Sequence, residues 1–184
     1  MVLVDINQQV LRAAYDKERE DRMLLAADLL DTASVSAAVE AASARLGPIH
    51  VLCNIAGGFR MGPAVHETPD NLWQLMMDLN VGSILNTARA VVPGMLSAGS
   101  GKIVNVAATA ALSGRPYMGA YSASKSAVIR LTESMAAELR EQGVNVNCVM
   151  PSIIDTPQNR TDMPLADPAR WVGPNALADV ILFL

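Results

Sequence analysis

Tyr121 and Lys125 stand four residues apart in the run Tyr121-Ser122-Ala123-Ser124-Lys125. They open a long stretch of helical periodicity, so the two side chains share one helical face. A phenol with an ordinary pKa near ~10 is a poor acid or base at neutral pH. An ammonium one turn away stabilises the phenolate and brings that value down, toward the range in which proton transfer is effective. By itself the pair also fits a surface Tyr–Lys contact, and the rest of the chain decides between the two.

The elements that must position this pair are set by the hydrophobic pattern. Apolar runs predict strands at 1–6, 23–29, 49–55, 102–108 and 144–150. Amphipathic stretches predict helices at 7–21, 31–46, 70–96 and 121–142, with a last one opening at 177. The 70–96 stretch is interrupted at Asn80-Val81-Gly82, and the segment 151–168 reads as irregular. Strands alternating with helices at crossover spacing predict an α/β fold, a Rossmann-like doubly wound parallel sheet. In such sheets ligands bind beyond the carboxyl ends of the strands. Asp5, Asp28, Asn54-Ile55-Ala56-Gly57, Ala107-Ala108 and Pro151 all fall at that edge.

The 184 residues suit a single domain, 1–184, with a sizeable core. Net charge is −4, which argues against a nucleic-acid partner or an anionic membrane surface. No window approaches the ~20 apolar residues of a membrane span, and the segment before Asp5 is too short for a secretory signal, so a cytoplasmic location is expected. Cys53 and Cys148 lie in apolar strand-like runs and are expected as buried reduced thiols. Neither these nor His50 and His66 have metal-ligand spacing, so no metal site is expected.

Several segments together resemble the short-chain dehydrogenase/reductase family. Asn54-Ile55-Ala56-Gly57 is similar to its Asn-Asn-Ala-Gly motif, Asn80 in Asn80-Val81-Gly82 to its catalytic asparagine, and Tyr121 with Lys125 to its catalytic pair. Pro151-Ser152-Ile153-Ile154-Asp155-Thr156 is similar to its Pro-Gly-x-x-x-Thr segment. The resemblance implies an NAD(H)-dependent oxidoreductase exchanging a hydride between nicotinamide and a small carbonyl or alcohol substrate. It gives Tyr121 the role of general acid or base, has Lys125 lower the phenol's pKa and bind the nicotinamide ribose, and has Asn80 hold a relay water. It places Asp5 on the adenosine ribose, where a carboxylate would repel the 2′-phosphate of NADP and so favours NAD(H) over NADP(H). Asp28 and Leu29 would border the adenine. Asn54, Ala56 and Gly57 would lie along the cofactor, with Pro151, Ile154 and Thr156 toward its carboxamide end. Elsewhere the chain looks more like 3-oxoacyl-carrier-protein-reductase-like members, which pair helices into homodimers or homotetramers.

Two departures stand out. The family's substrate-binding serine falls thirteen positions before the tyrosine, where this chain has Ala108; losing such a donor commonly costs ~10²–10³ in rate. Thr109, Ser113 or a water could supply it, or activity is low. The stretch from Asp155 through Arg160 to Trp171 resembles the corresponding loop of dihydropteridine reductases, so pterin reduction is a minority substrate reading. The family's first strand with its glycine-rich turn and its last strand have no counterpart in the sequence. A catalytically weak or silent binding homologue is therefore the competing expectation.

Overall fold

The computed structural model describes residues 1–15 and 20–184; the end of the helix predicted for 7–21 falls partly outside them. Five strands alternate with seven helices among the described residues: β1 (Val2–Asp5), α1 (Gln8–Ala14), β2 (Met23–Ala26), α2 (Thr32–Leu46), β3 (Val51–Asn54), α3 (Asp70–Met77), α4 (Ser83–Ala98), β4 (Gly101–Val106), α5 (Gly119–Leu139), β5 (Val144–Val149), α6 (Pro157–Asp162) and α7 (Pro174–Phe183). Each strand is one to three residues shorter than its apolar run, because the ends of those runs turn away into loops.

All pairings are parallel, but the strands form two sheets, β1-β2 and β3-β4-β5. Val2 is level with Met23 and Asp5 with Ala26 in the first. Asn54 is level with Asn105, and Asn105 with Cys148, in the second. An apolar cleft of about 670 Å³ lies between β1 and β3, lined by both strands together with α2 residues and Thr87 and Val91 of α4. This corrects the expectation for the cysteines. Both are unpaired, but Cys148 is only half-buried and Cys53 is exposed and lines the cleft, because β3 has a neighbouring strand only on the β4 side.

The core packs α4 and α5 against β4 and β5. Val91 and Met95 of α4, Ile103 of β4, Val144 and Val146 of β5 and Leu139 of α5 form one buried cluster. Ile84, Ala107, Val128 and Ile129 form a second one nearer the carboxyl ends of the strands. Helix starts and stops obey local chemistry: Asn7, Asp31 and Thr156 cap α1, α2 and α6 by accepting backbone N–H bonds. Gly143, which ends the α5 segment, has φ 77°, and a Cβ there would come within 2.2 Å of the Gly99 carbonyl oxygen. Only glycine fits that left-handed, crowded corner.

The interruption predicted at Asn80-Val81-Gly82 is a π turn, Asp78–Gly82, that joins α3 to α4 without a break. The segment expected to be irregular after Pro151 contains α6 and is pinned by a bridge between Ile154 and Val172.

Candidate active site

The Tyr-Lys helix begins at Gly119, so Tyr121 sits in the first turn of α5 at the carboxyl end of β4. Its ring is half-buried and its hydroxyl makes no hydrogen bond among the described residues. Lys125 is buried, with 6% of its surface exposed, and its Nζ donates to the Val106 carbonyl at 2.8 Å. An ammonium carries three donors, so two are left without a partner among the described residues and can meet a ligand. Burial pushes Lys125 down to about 8 and pushes the Tyr121 phenol up. The motif spacing predicts an ammonium that brings the phenol down; here burial of the phenol raises it instead, and the Lys125 ammonium bonds the Val106 carbonyl.

Asn80 is fully buried within the π turn. π turns redirect side chains that a regular helix would place elsewhere, and this one aims Asn80 at the loop after β3. Asn80 Oδ1 accepts from the Gly58 N–H and its Nδ2 donates to the Gly58 carbonyl, both at 3.0 Å. The same Nδ2 lies 3.0 Å from Ser124 Oγ, and that hydroxyl donates to the Tyr121 carbonyl at 2.8 Å. A Cβ on Gly57 would fall 2.7 Å from Asn80 Oδ1 and 3.2 Å from Lys125 Nζ. Gly57, Asn80, Ser124, Lys125 and the Tyr121 backbone thus meet in one place.

Asn54 is buried beneath this group. Its Nδ2 donates to Asn105 Oδ1 at 2.8 Å, Asn105 Nδ2 donates to Thr132 Oγ1 at 2.9 Å, and Thr87 Oγ1 donates to Asn54 Oδ1 at 2.8 Å. Because Asn54 and Asn105 are register partners bonded on one face, Thr87 of α4 and Thr132 of α5 place both helices over that same face. Sequence motifs single out Asn54 but not Asn105, Thr87, Thr132 or Ser124. Ser124 lies inside the Tyr-Lys motif and is legible there; an asparagine in mid-strand carries no such signal.

The remaining candidates are spread along the carboxyl edge. Leu29, Asn54 and Ala56 line the cleft between the two sheets. Asp5 Oδ1 accepts from the Asn7 N–H at 2.8 Å, and Asp28 Oδ1 accepts from the Leu30 N–H at 2.9 Å. Each turn leaves its carboxylate with further acceptor capacity. Pro151 accepts the Thr109 N–H, Ile154 is bridged to Val172, and Thr156 caps α6. Ala108 is buried at the end of β4, whereas Thr109 and Ser113 are exposed. Arg160 makes a bidentate ion pair with Asp155, at 2.6 and 2.8 Å, which accounts for its place in the loop without a ligand. Trp171 is half-buried beside the Ile154–Val172 bridge.

The description "short chain dehydrogenase" belongs to the family model that matches residues 1–164. The 2-(R)-hydroxypropyl-CoM dehydrogenase of Xanthobacter autotrophicus is 39% identical over 189 residues, taking in 96% of this chain and 76% of that protein. A 2-dehydro-3-deoxy-L-rhamnonate dehydrogenase (NAD(+)) of a Sphingomonas species is 37% identical over 157 residues, or 85% of this chain and 63% of that protein. The solved structure of ElxO with NADP bound superposes on all of this chain and 79% of its own, with a TM-score of 0.90 at 22% identity, a likeness of fold. No helix among the described residues is long and apolar enough to cross a membrane. The chain belongs to the short-chain dehydrogenase family, oxidoreductases built on a Rossmann-type fold.

Proposed function

We propose that this chain exchanges a hydride between a nicotinamide dinucleotide and a small carbonyl or alcohol substrate. The observation that carries the reading is the Tyr121 hydroxyl, without a partner among the described residues, one helical turn from a buried ammonium. A bound nicotinamide supplies the hydride, a task no side chain here can perform. The protein's own groups supply the proton and the orientation. Tyr121 gives its proton to a substrate oxygen in reduction and takes it back in oxidation. Lys125, with two free donors, is the group that would hold ribose hydroxyls and favour the phenolate. Asn80 fixes the loop at Gly58 and stands between Ser124 and the crevice.

The residues present suit such a cofactor: Leu29 and Ala56 give the cleft edge apolar surface beside the Asn54 amide, and Asp5 keeps a carboxylate oxygen without a partner among the described residues at the end of β1. We assign NAD(H) over NADP(H) on the charge of Asp5, with Asp28, Gly57, Pro151, Ile154 and Thr156 completing the contact surface. A homodimer or homotetramer through α4 and α5, in the cytoplasm, is the assembly proposed.

The test is to supply NADH or NADPH with a panel of ketones and follow cofactor oxidation. Turnover should appear and fall at least about a hundredfold in Tyr121→Phe, the scale of a lost general acid. Turnover unchanged in that variant overturns the assignment. A second reading, cofactor binding without turnover, is favoured by Ala108, which offers no hydroxyl beside the phenol. Calorimetric NADH binding with no oxidation across the panel would select it.

A further inference from the structure

We propose that Phe59 is a positioning residue for Tyr121, its ring setting the angle at which the phenol is presented. This rests on Tyr121 being the proton donor of the proposed reaction. The two rings meet edge to face, with centroids 4.9 Å apart and planes at 86°. Edge-to-face pairs are the preferred aromatic geometry, since the positive rim of one ring meets the negative face of the other.

Among the described residues, no hydrogen bond or other ring contact fixes the Tyr121 side-chain torsion. Its hydroxyl has no partner there, and the Ser124 bond holds its backbone carbonyl, not its ring. Phe59, by contrast, is carried on a loop fastened on both sides of it. Asn80 clamps Gly58 with two bonds, and the Gly62 N–H donates to the Tyr117 carbonyl at 2.8 Å. Tyr117 itself has φ 62°, a left-handed conformation that costs a non-glycine residue free energy and persists only where its surroundings enforce it. Phe59 is nevertheless 44% exposed. A large apolar ring left partly in water on a pinned loop, in contact with the one phenol of the site, orients that phenol more than it fills a core.

The experiment has two arms, and the first needs no turnover. With ¹³C-labelled tyrosine in the intact protein, the Tyr121 ring resonances, assigned by their loss in Tyr121→Phe, should carry a ring-current shift. Phe59→Leu should abolish that shift and leave the Tyr15 and Tyr117 resonances in place; Phe59→Trp should restore a shift. In the second arm, with NADH and whichever ketone the wild type turns over, Phe59→Leu should lower kcat about two- to tenfold, the rate equivalent of one aromatic pair. KM for NADH should stay within about twofold in that variant, and Phe59→Trp should recover part of kcat. Tyr121 resonances identical in wild type and Phe59→Leu overturn the proposal, as does a kcat equal to wild type. Wild-type protein that oxidises no cofactor would count against the proposed reaction alone; the flip rate of the Tyr121 ring, read from the same resonances, then decides, since it should rise in Phe59→Leu if Phe59 holds the ring and an unchanged rate overturns the proposal.

Discussion

Asn80 and Gly58 are bonded twice, side chain to backbone, in both directions at 3.0 Å. That reciprocal pair fastens the π turn between α3 and α4 to the loop after β3. Replacing Asn80 with Ala strands a donor and an acceptor on Gly58 and removes one of the two partners of Ser124. Leaving buried polar groups unsatisfied costs about 1–3 kcal/mol each. Asn80→Ala is therefore expected to lose about 2–4 kcal/mol in urea unfolding, and a loss under about 0.5 kcal/mol would show that the loop is held by something else.

Gly57→Ala makes a narrower demand. Its new methyl would press on Asn80 Oδ1 and Lys125 Nζ at 2.7 and 3.2 Å, so at least one of them must move. Overpacking of this kind typically costs about 1–3 kcal/mol. Hydride-transfer rate should drop at least about tenfold, since a displacement of an ångström in a catalytic group is costly. Steady-state kinetics that match wild type would contradict the closeness of these three residues.

Lys125 makes stability depend on pH. Burial brings it to about 8 from an ordinary 10.5, so the native chain releases this proton at lower pH than the unfolded chain does. Between those values the unfolded state binds more protons, and the contribution of this group to stability rises with pH. Below the native value both states are charged and the cost of burying the ammonium is complete; above the unfolded value it is gone. The gap corresponds to at most about 3 kcal/mol. Cys148 and Tyr121 are both pushed up by burial and slope the other way. The quantity to measure is therefore wild-type stability minus that of Lys125→Met, which should climb between about pH 8 and 10. A flat difference would mean that the lysine is not desolvated.

Ala108→Ser tests the departure that the sequence displays most plainly. The residue sits buried at the end of β4, just before the loop that leads to α5. If the site lacks a donor to the substrate oxygen, a hydroxyl there should raise kcat about tenfold or more, on the scale of single oxyanion donors. No gain on any substrate accepted by the wild type would mean that the donor is supplied elsewhere.

Much of this architecture is readable from residue order. Alternating apolar and amphipathic stretches foretell each strand and every helix but α6, because parallel strands buried by crossover helices need continuous apolar runs. The Tyr121–Lys125 spacing foretells a shared helical face, and both residues do lie at the carboxyl edge of the strands. Other features leave no trace in local pattern. The Thr87–Asn54–Asn105–Thr132 chain joins four elements, and every member except Asn54 looks alone like an ordinary polar residue; only register places Asn54 level with Asn105. The exposure of Cys53 depends on which strand lies next to β3, which apolar periodicity does not encode. The direction of the Tyr121 shift depends on how far the phenol is taken out of water, and that is a matter of tertiary packing.

The π turn at Asp78–Gly82 has one more consequence. It is a one-residue surplus carried inside an otherwise continuous rod. Deleting a single codon from it would give a smoother helix with better hydrogen bonds, yet would spin α3 by about 100° relative to α4. The smoother rod would present Asn80 to a different neighbour, so the irregularity that weakens the helix is what gives its asparagine an address.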